Sequence, residues 1–297
     1  MSTSNRIEMS GLTKRFGVTC ALDGVDWQLG AGTAVGLVGR NASGKTTLLH
    51  TAVGFLLPTE GSCLTFGVPA GELGEDELMR IGIVDQEAKL LEWLTVEQHL
   101  RYVAALQPRW DVSLEKRLRR DLELEENKRI SSLSKGMRQR LALILAVCHH
   151  PELLVLDEPV SALDPLARRD ALALILERVI DDGTSVVISS HGLHDIEKVV
   201  DRVLCIEEGQ VVEDADLDDL KESYAEWIVT SSERDLPREF SEPYVLSREG
   251  NGRLVRLAVR ATDDDLTSFR ARHDVEIERR SLDLERIFPL MTRSKSS

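Results

Sequence analysis

Between Arg6 and Gly39 apolar residues recur in short alternating runs, Ile7, Met9 and Leu12, then Val25, Trp27 and Leu29, broken by glycines. A period of two predicts a group of antiparallel strands here, leading into the apolar segment Ala34 to Val38. Past Gly61 the pattern predicts a strand over Ser62 to Phe66, a polar acidic stretch, and a short strand over Arg80 to Asp85 that ends at Gln86. From Thr95 to about Leu124 the period becomes helical, with apolar residues at Val96, Leu100, Val103, Ala104 and Leu106, a break at Gln107-Pro108 and a second helix from Ser113. This reads as an inserted helical subdomain, bounded at about 87–150. The helical pattern returns at Ser134, then come the buried-strand run Leu153 to Leu156, a helix from Pro165 to Ile180 and a second buried strand, Ser185 to Ser190. Strands alternating with helices predict an α/β fold, a mostly parallel core sheet with helices on its faces behind an antiparallel N-terminal layer.

After Gly209 the composition shifts: Glu213, Asp214, Asp216, Asp218 and Asp219 crowd together before the pattern turns strand-like at Glu226 to Thr230. A domain junction is placed there, with a first domain over 1–215 and an accessory α+β domain over 216–297. The second has predicted strands at Tyr244 to Ser247, Leu254 to Arg260 and Val275 to Arg279, an amphipathic helix from Asp264 to Arg272, and a disordered end from Thr292.

Composition narrows the picture little. The 297 residues, 42% hydrophobic and 30% charged, suffice for a large domain plus a smaller one. The longest strongly apolar run, Leu141 to Cys148, is far below the roughly 20 residues of a membrane-spanning helix, and the N-terminus shows no secretory h-region. Cys20, Cys63, Cys148 and Cys205 have no C-x-x-C spacing, which argues against a zinc site or a disulfide framework and for thiols in a reducing cytoplasm. A net charge of −14 disfavours a broad nucleic-acid surface, so no nucleic-acid partner is expected.

The chemistry starts with Gly39-Arg40-Asn41-Ala42-Ser43-Gly44-Lys45-Thr46, which fits G-x-x-x-x-G-K-[ST], follows an apolar segment and precedes a helix predicted over Thr46 to Phe55. In this geometry Gly39, Asn41, Ser43, Gly44 and Thr47 belong to a cradle of backbone N–H groups and the helix N-terminus aims at phosphate. Lys45 then reaches the β- and γ-phosphates, and the Thr46 hydroxyl ligates Mg²⁺. Asp157 and Glu158 end the apolar strand at the edge where open parallel sheets bind ligands. There Asp157 would hold Mg²⁺ and Glu158 would polarise water attacking the γ-phosphate.

Leu133-Ser134-Lys135-Gly136-Met137, about twenty residues before that strand, resembles the Leu-Ser-Gly-Gly-Gln signature of ATP-binding cassette (ABC) ATPases. Other motifs fall in that family's order over Arg6 to Val212: Phe16 is similar to the aromatic that stacks on adenine, Gln86 to the Q-loop glutamine, Ser161-Ala162-Leu163-Asp164 to the D-loop and His191 to the switch histidine. The resemblance implies the P-loop ABC ATPase fold and a second ABC ATPase subunit, identical or paralogous, packed head to tail around two ATP. It also implies that Ser134 and Gly136 contact the γ-phosphate held by the opposite subunit, that His191 binds γ-phosphate, that Asp164 links the sites, and that Gln86 touches Mg²⁺ and the water beside a docked membrane permease. Lys135-Gly136-Met137-Arg138-Gln139-Arg140 and Leu284-Glu285-Arg286-Ile287-Phe288 are similar to elements of exporter cassettes with separate permeases. The implied place is cytoplasmic, peripheral on the inner face of the membrane.

Ala42, Lys135 and Met137 depart from the family pattern, Ala42 at a cost only where the loop needs positive φ. Arg138 and Arg140 fit either a phosphate or subunit contact or an exposed helical face, and Trp93 and Trp110 either a permease contact or burial. His149 and His150 read as helix-end histidines, and His194 and Asp195 as a solvated helix start. A soluble ABC ATPase acting on translation or DNA, or a sensor of antibiotic stress, is the alternative function.

Overall fold

The alternating residues of the N-terminal segment pair as expected. In the computed structural model, which describes residues 5–164, 168, 171–173, 183–190 and 192–293, β1 (Ile7–Phe16) and β2 (Thr19–Leu29) are antiparallel, with Ile7 opposite Leu29 and Met9 opposite Trp27. These four residues are buried, so one face of the ribbon enters a core and the other stays polar. The chain continues through β3 (Ala34–Val38), α1 (Lys45–Ala52), β4 (Glu60–Thr65), β5 (Val68–Pro69), α2 (Glu75–Leu78), β6 (Ile81–Val84), α3 (Val96–Ala104), α4 (Val112–Asp121), α5 (Lys135–Val147), β7 (Leu153–Asp157), β8 (Ser185–Ser189), α6 (Leu193–Ile196), β9 (Arg202–Glu207) and β10 (Gln210–Asp216). The first sheet runs β2-β1-β4-β5, the second β10-β9-β3-β8-β7-β6. In the second, β3 is parallel to β8 and β9, and β7 to β6 and β8. β3, β7 and β8 are buried along their whole length, which is why they read as unbroken apolar runs.

Two compact units are present, Met1–Asp214 and Ala215–Ser297. The second comprises α7 (Leu217–Ser223), β11 (Tyr224–Thr230), β12 (Val245–Asn251), β13 (Leu254–Arg260), α8 (Asp263–His273), β14 (Glu276–Ser281) and α9 (Leu284–Arg293). Its sheet, β12-β13-β11-β14, is antiparallel and has its own core of Trp227, Val255, Leu257, Val259 and Phe269.

Several expectations shift. The strand expected over Ser62 to Phe66 is β4 at Glu60–Thr65, because Phe66 turns out at φ 55°. β9 and β10 carry no expected element; β10, exposed at its ends and half-buried between, shows no alternation of buried and exposed positions. The boundary between the two units, Asp214 to Ala215, falls within the acidic stretch, which is ordered: Asp214 lies in β10, 2.6 Å from Arg202, and Asp218 and Asp219 start α7. α9 continues to Arg293, past the expected frayed end at Thr292, because Leu284, Ile287, Leu290 and Met291 give it a buried stripe. The helix predicted from Pro165 to Ile180 lies mostly outside the described residues, of which 168 and 171–173 are helical.

Candidate nucleotide site

The loop between β3 and α1 is shaped by its glycines. Gly44 takes φ 111°, and a Cβ there would stand 2.5 Å from the carbonyl oxygen of Ala21. The turn lets α1 start at Lys45, whose Nζ donates to the carbonyls of Gly39 at 2.8 Å and Arg40 at 2.9 Å. Burial holds the Lys45 ammonium below the usual lysine range, opposed by the charges of Glu158 and Asp157. The Ser43 Oγ is buried without a hydrogen bond among the described residues. Ala42 has φ 62°, so the substitution for glycine does fall on a left-handed position and carries strain.

The carboxylates come from the end of β7. Asp157 is 2% exposed, and its two oxygens accept hydrogen bonds from the hydroxyls of Thr46 and Ser189, each at 2.6 Å. Ser189 Oγ also accepts from the Glu158 backbone N–H at 3.0 Å. Glu158 is buried at φ 50°, a strained backbone of the kind held only where surroundings enforce it.

A cavity of about 480 Å³ gathers Phe16, Asn41, Ala42, Ser43, Gly44, Lys45, Thr46, Thr47, Gln86, Asp157 and Glu158, with Thr19, Cys20 and Ala21 in its wall. Gly39 lies just behind it, its carbonyl on Lys45. Phe16 is half-exposed, with the Lys14 ammonium 5.1 Å from its ring centre. The cavity thus pairs a cation and an orphaned hydroxyl, suited to phosphate, with hard oxygen donors on Thr46, Gln86 and Asp157, suited to Mg²⁺. Ser134, Gly136 and Asp164 are not in its walls, and His191 lies outside the described residues.

The Ser134 group forms a second locus. Ser134 caps α5, its Oγ accepting from Met137 N–H at 3.2 Å. A Cβ on Gly136 would come within 2.8 Å of the tip of the Leu163 side chain and 3.2 Å of the Ala162 carbonyl oxygen, so a larger residue would make Leu163 shift. Gln139, 1% exposed, donates to Ser161 Oγ at 3.1 Å and to the Glu158 carbonyl at 3.3 Å, and accepts from Ala162 N–H at 3.0 Å. Sequence reasoning missed this clamp and the role of Ser189, because Gln139 and Ser189 act on partners about twenty to thirty residues away in sequence that only the fold brings near.

Arg138 pairs with Glu92 and donates to the Ser131 carbonyl at 3.3 Å, while Arg140 donates to the Leu122 carbonyl at 3.1 Å. Both tie α5 to its own subdomain. Trp93 is 68% exposed, whereas Trp110 is half-buried and donates to Glu115 at 2.9 Å. His149 is buried, with burial lowering its pKa, and His150 stands 3.4 Å from Asp111. Among the described residues no cysteine is bonded to another, and burial pushes the Cys63 and Cys205 thiols up to about 12.

Comparison with known proteins agrees with this geometry. The profile of the family described as ABC transporter matches residues 22–161. The bacitracin transport ATP-binding protein BcrA of Enterococcus faecalis is 33% identical over 216 residues, 72% of this chain and 70% of that one. The ABC transporter ATP-binding protein YtrB of Bacillus subtilis is 29% identical and covers 89% of each. Among solved structures, a dimeric post-hydrolysis state of the cassette MJ0796 bound to ADP and Pi is similar with a TM-score of 0.62, 25% identity, and coverage of 71% of this chain and 98% of that one.

Proposed function

We propose, from the premise that this chain belongs to the ABC transporter ATP-binding proteins and is their ATP-hydrolysing component, that the 480 Å³ cavity is its nucleotide site and that hydrolysis there drives a separate membrane permease, in the direction of export. The carrying observation is that one cavity joins the loop before α1 to both carboxylates at the end of β7.

In this reading Lys45 leaves the Gly39 and Arg40 carbonyls for the phosphates, and the N–H groups from Asn41 to Thr47 surround them. Phe16 stacks on the base. Thr46, Gln86 and Asp157 hold Mg²⁺, which when bound neutralises charge on the phosphates. Ser189 steadies Asp157 and the backbone of Glu158, and Glu158 takes the proton of the attacking water. Ser134 and Gly136, outside the walls of this cavity, complete the site of a second copy or paralogue, with Asp164 and His191 at the junction. Exposed Trp93 and Tyr102, which follow Gln86 in sequence, provide the face for the permease, which would hold the chain at the inner membrane surface. No helix among the described residues is long and apolar enough to cross a membrane, so the spanning part would come from that partner. The export direction is supported by the Lys135 to Arg140 variant of the signature and by the Leu284 to Phe288 element.

Glu158→Gln should trap an ATP-bound dimer, seen as a doubled mass by light scattering. A monomer at saturating ATP with Mg²⁺ would count against the shared-site assignment. Lys45→Ala should abolish ATP binding, and undiminished affinity would contradict the phosphate cradle.

A further inference from the structure

One turn below Thr46 on α1, His50 faces two carboxylates that the nucleotide chemistry does not need together. Its Nε2 is buried without a hydrogen bond among the described residues and lies 3.5 Å from Asp85 Oδ1. One ligand atom from each of His50, Asp85 and Asp157 fits within a mutual span of 4.8 Å. A tetrahedral ion with metal–nitrogen and metal–oxygen bonds of about 2.1 Å has ligand edges of about 3.4 Å, so the His50–Asp85 edge is already at coordination distance. The longer edges can close by side-chain torsion at His50 and Asp85, which are only half-buried, while Asp157 stays fixed by Thr46 and Ser189. Asp85 is oriented too: its Oδ1 accepts from the Gln86 backbone N–H at 2.8 Å. A cavity of about 600 Å³, lined by His50, Phe55, Asp85, Leu90 and His99 among others, provides an entry path.

We propose that His50, Asp85 and Asp157 form a second cation site for a transition metal of the zinc class, and that an ion held there occupies the Asp157 carboxylate that the nucleotide site needs and slows hydrolysis. The donor set separates it from the Mg²⁺ position. An imidazole nitrogen suits zinc-class ions, whereas Mg²⁺ takes oxygen donors and keeps its waters. Asp157 is common to both, so occupancy of one position competes with productive use of the other. The binding part stands on these three residues alone, and the inhibitory part rests on the ATPase reading.

The test is calorimetric titration of Zn²⁺ alone into the full chain without nucleotide or Mg²⁺, with the absorption spectrum of added Co²⁺ as a report of coordination. One equivalent should bind, with intense tetrahedral Co²⁺ bands. His50→Gln and Asp85→Asn should each weaken binding at least about tenfold, the lower end of losses seen even for outer-shell changes. ATP-analogue affinity measured on both variants establishes that they fold. Zn²⁺ inhibition of Mg²⁺-ATP hydrolysis should need about tenfold more metal in His50→Gln than in the unaltered chain. Absent binding, or Zn²⁺ affinity unchanged in both folded variants, would overturn the site and leave His50 and Asp85 as a plain polar contact. Binding lost in the variants with hydrolysis equally sensitive to Zn²⁺ would overturn the inhibitory role. A chain that binds Zn²⁺ through His50 but never hydrolyses ATP would sink the ATPase reading and leave the metal site standing.

Discussion

At the scale of single residues, left-handed Ala42 and Glu158 stand where β3 and β7 end, beside the charges of Lys45 and Asp157. Ala42 at φ 62° has a Cβ where the family pattern has none, and a left-handed alanine costs about 1–2 kcal/mol. Ala42→Gly removes that strain but returns about 0.4–1 kcal/mol of chain entropy to the unfolded state. The expected net is a stabilisation of about 0.5–1 kcal/mol, read as a higher denaturant midpoint, and a lower midpoint would contradict the strain. The motif around Lys45 was legible because its eight residues are contiguous and local geometry dictates their types. Ser189 was not, since its hydroxyl meets Asp157 only after β8 pairs with β7.

At the scale of elements, caps and clamps decide how helices hold the site. Asp111 caps α4, accepting from the Ser113 hydroxyl at 2.6 Å, from Ser113 N–H at 2.8 Å and from Leu114 N–H at 2.9 Å. The Ser113 hydroxyl, then the Leu114 N–H, hold its carboxyl down from 3.8 to about 2. A depressed folded pKa contributes stability above the unfolded value that is lost as pH falls through the folded one. Asp111→Ala should therefore cost about 1 kcal/mol at neutral pH. In urea melts its deficit should shrink between pH 3.8 and about 2, and a deficit constant across that window would contradict the assignment. Gln139 works between elements, joining α5 to the segment after Glu158. Gln139→Leu, of similar size, should lower kcat severalfold with KM for ATP little changed and cost about 1–3 kcal/mol from unmet polar groups. A KM shift with kcat intact would place the residue in nucleotide binding instead. The helical period of α3, α4 and α5 was readable from spacing, whereas β10, half-buried on both faces, has no period to read.

At the scale of the whole molecule, each unit has its own core and the nucleotide cavity is lined by the first alone. Phe269, fully buried and edge-on to Trp227 with ring centres 5.4 Å apart, anchors the second. Phe269→Ala should destabilise that unit by about 3–5 kcal/mol. The loss should show as an earlier transition by tryptophan fluorescence, while ATP affinity stays unchanged; an equal loss of affinity would mean that the second unit supports the site. What the sequence determined by itself was local: the loop around Lys45, the carboxylates closing an apolar strand, the helix starts at Ser134 and Thr95, because short-range sterics and hydrogen bonding dictate those residue types. What only the tertiary structure decided was convergence. Parallel pairing of β3, β8 and β7 brings Thr46, Ser189 and Asp157 into hydrogen-bonding reach across more than a hundred residues of chain, and places His50 beside Asp85, because sheet order and register are set by long-range packing that no local pattern records.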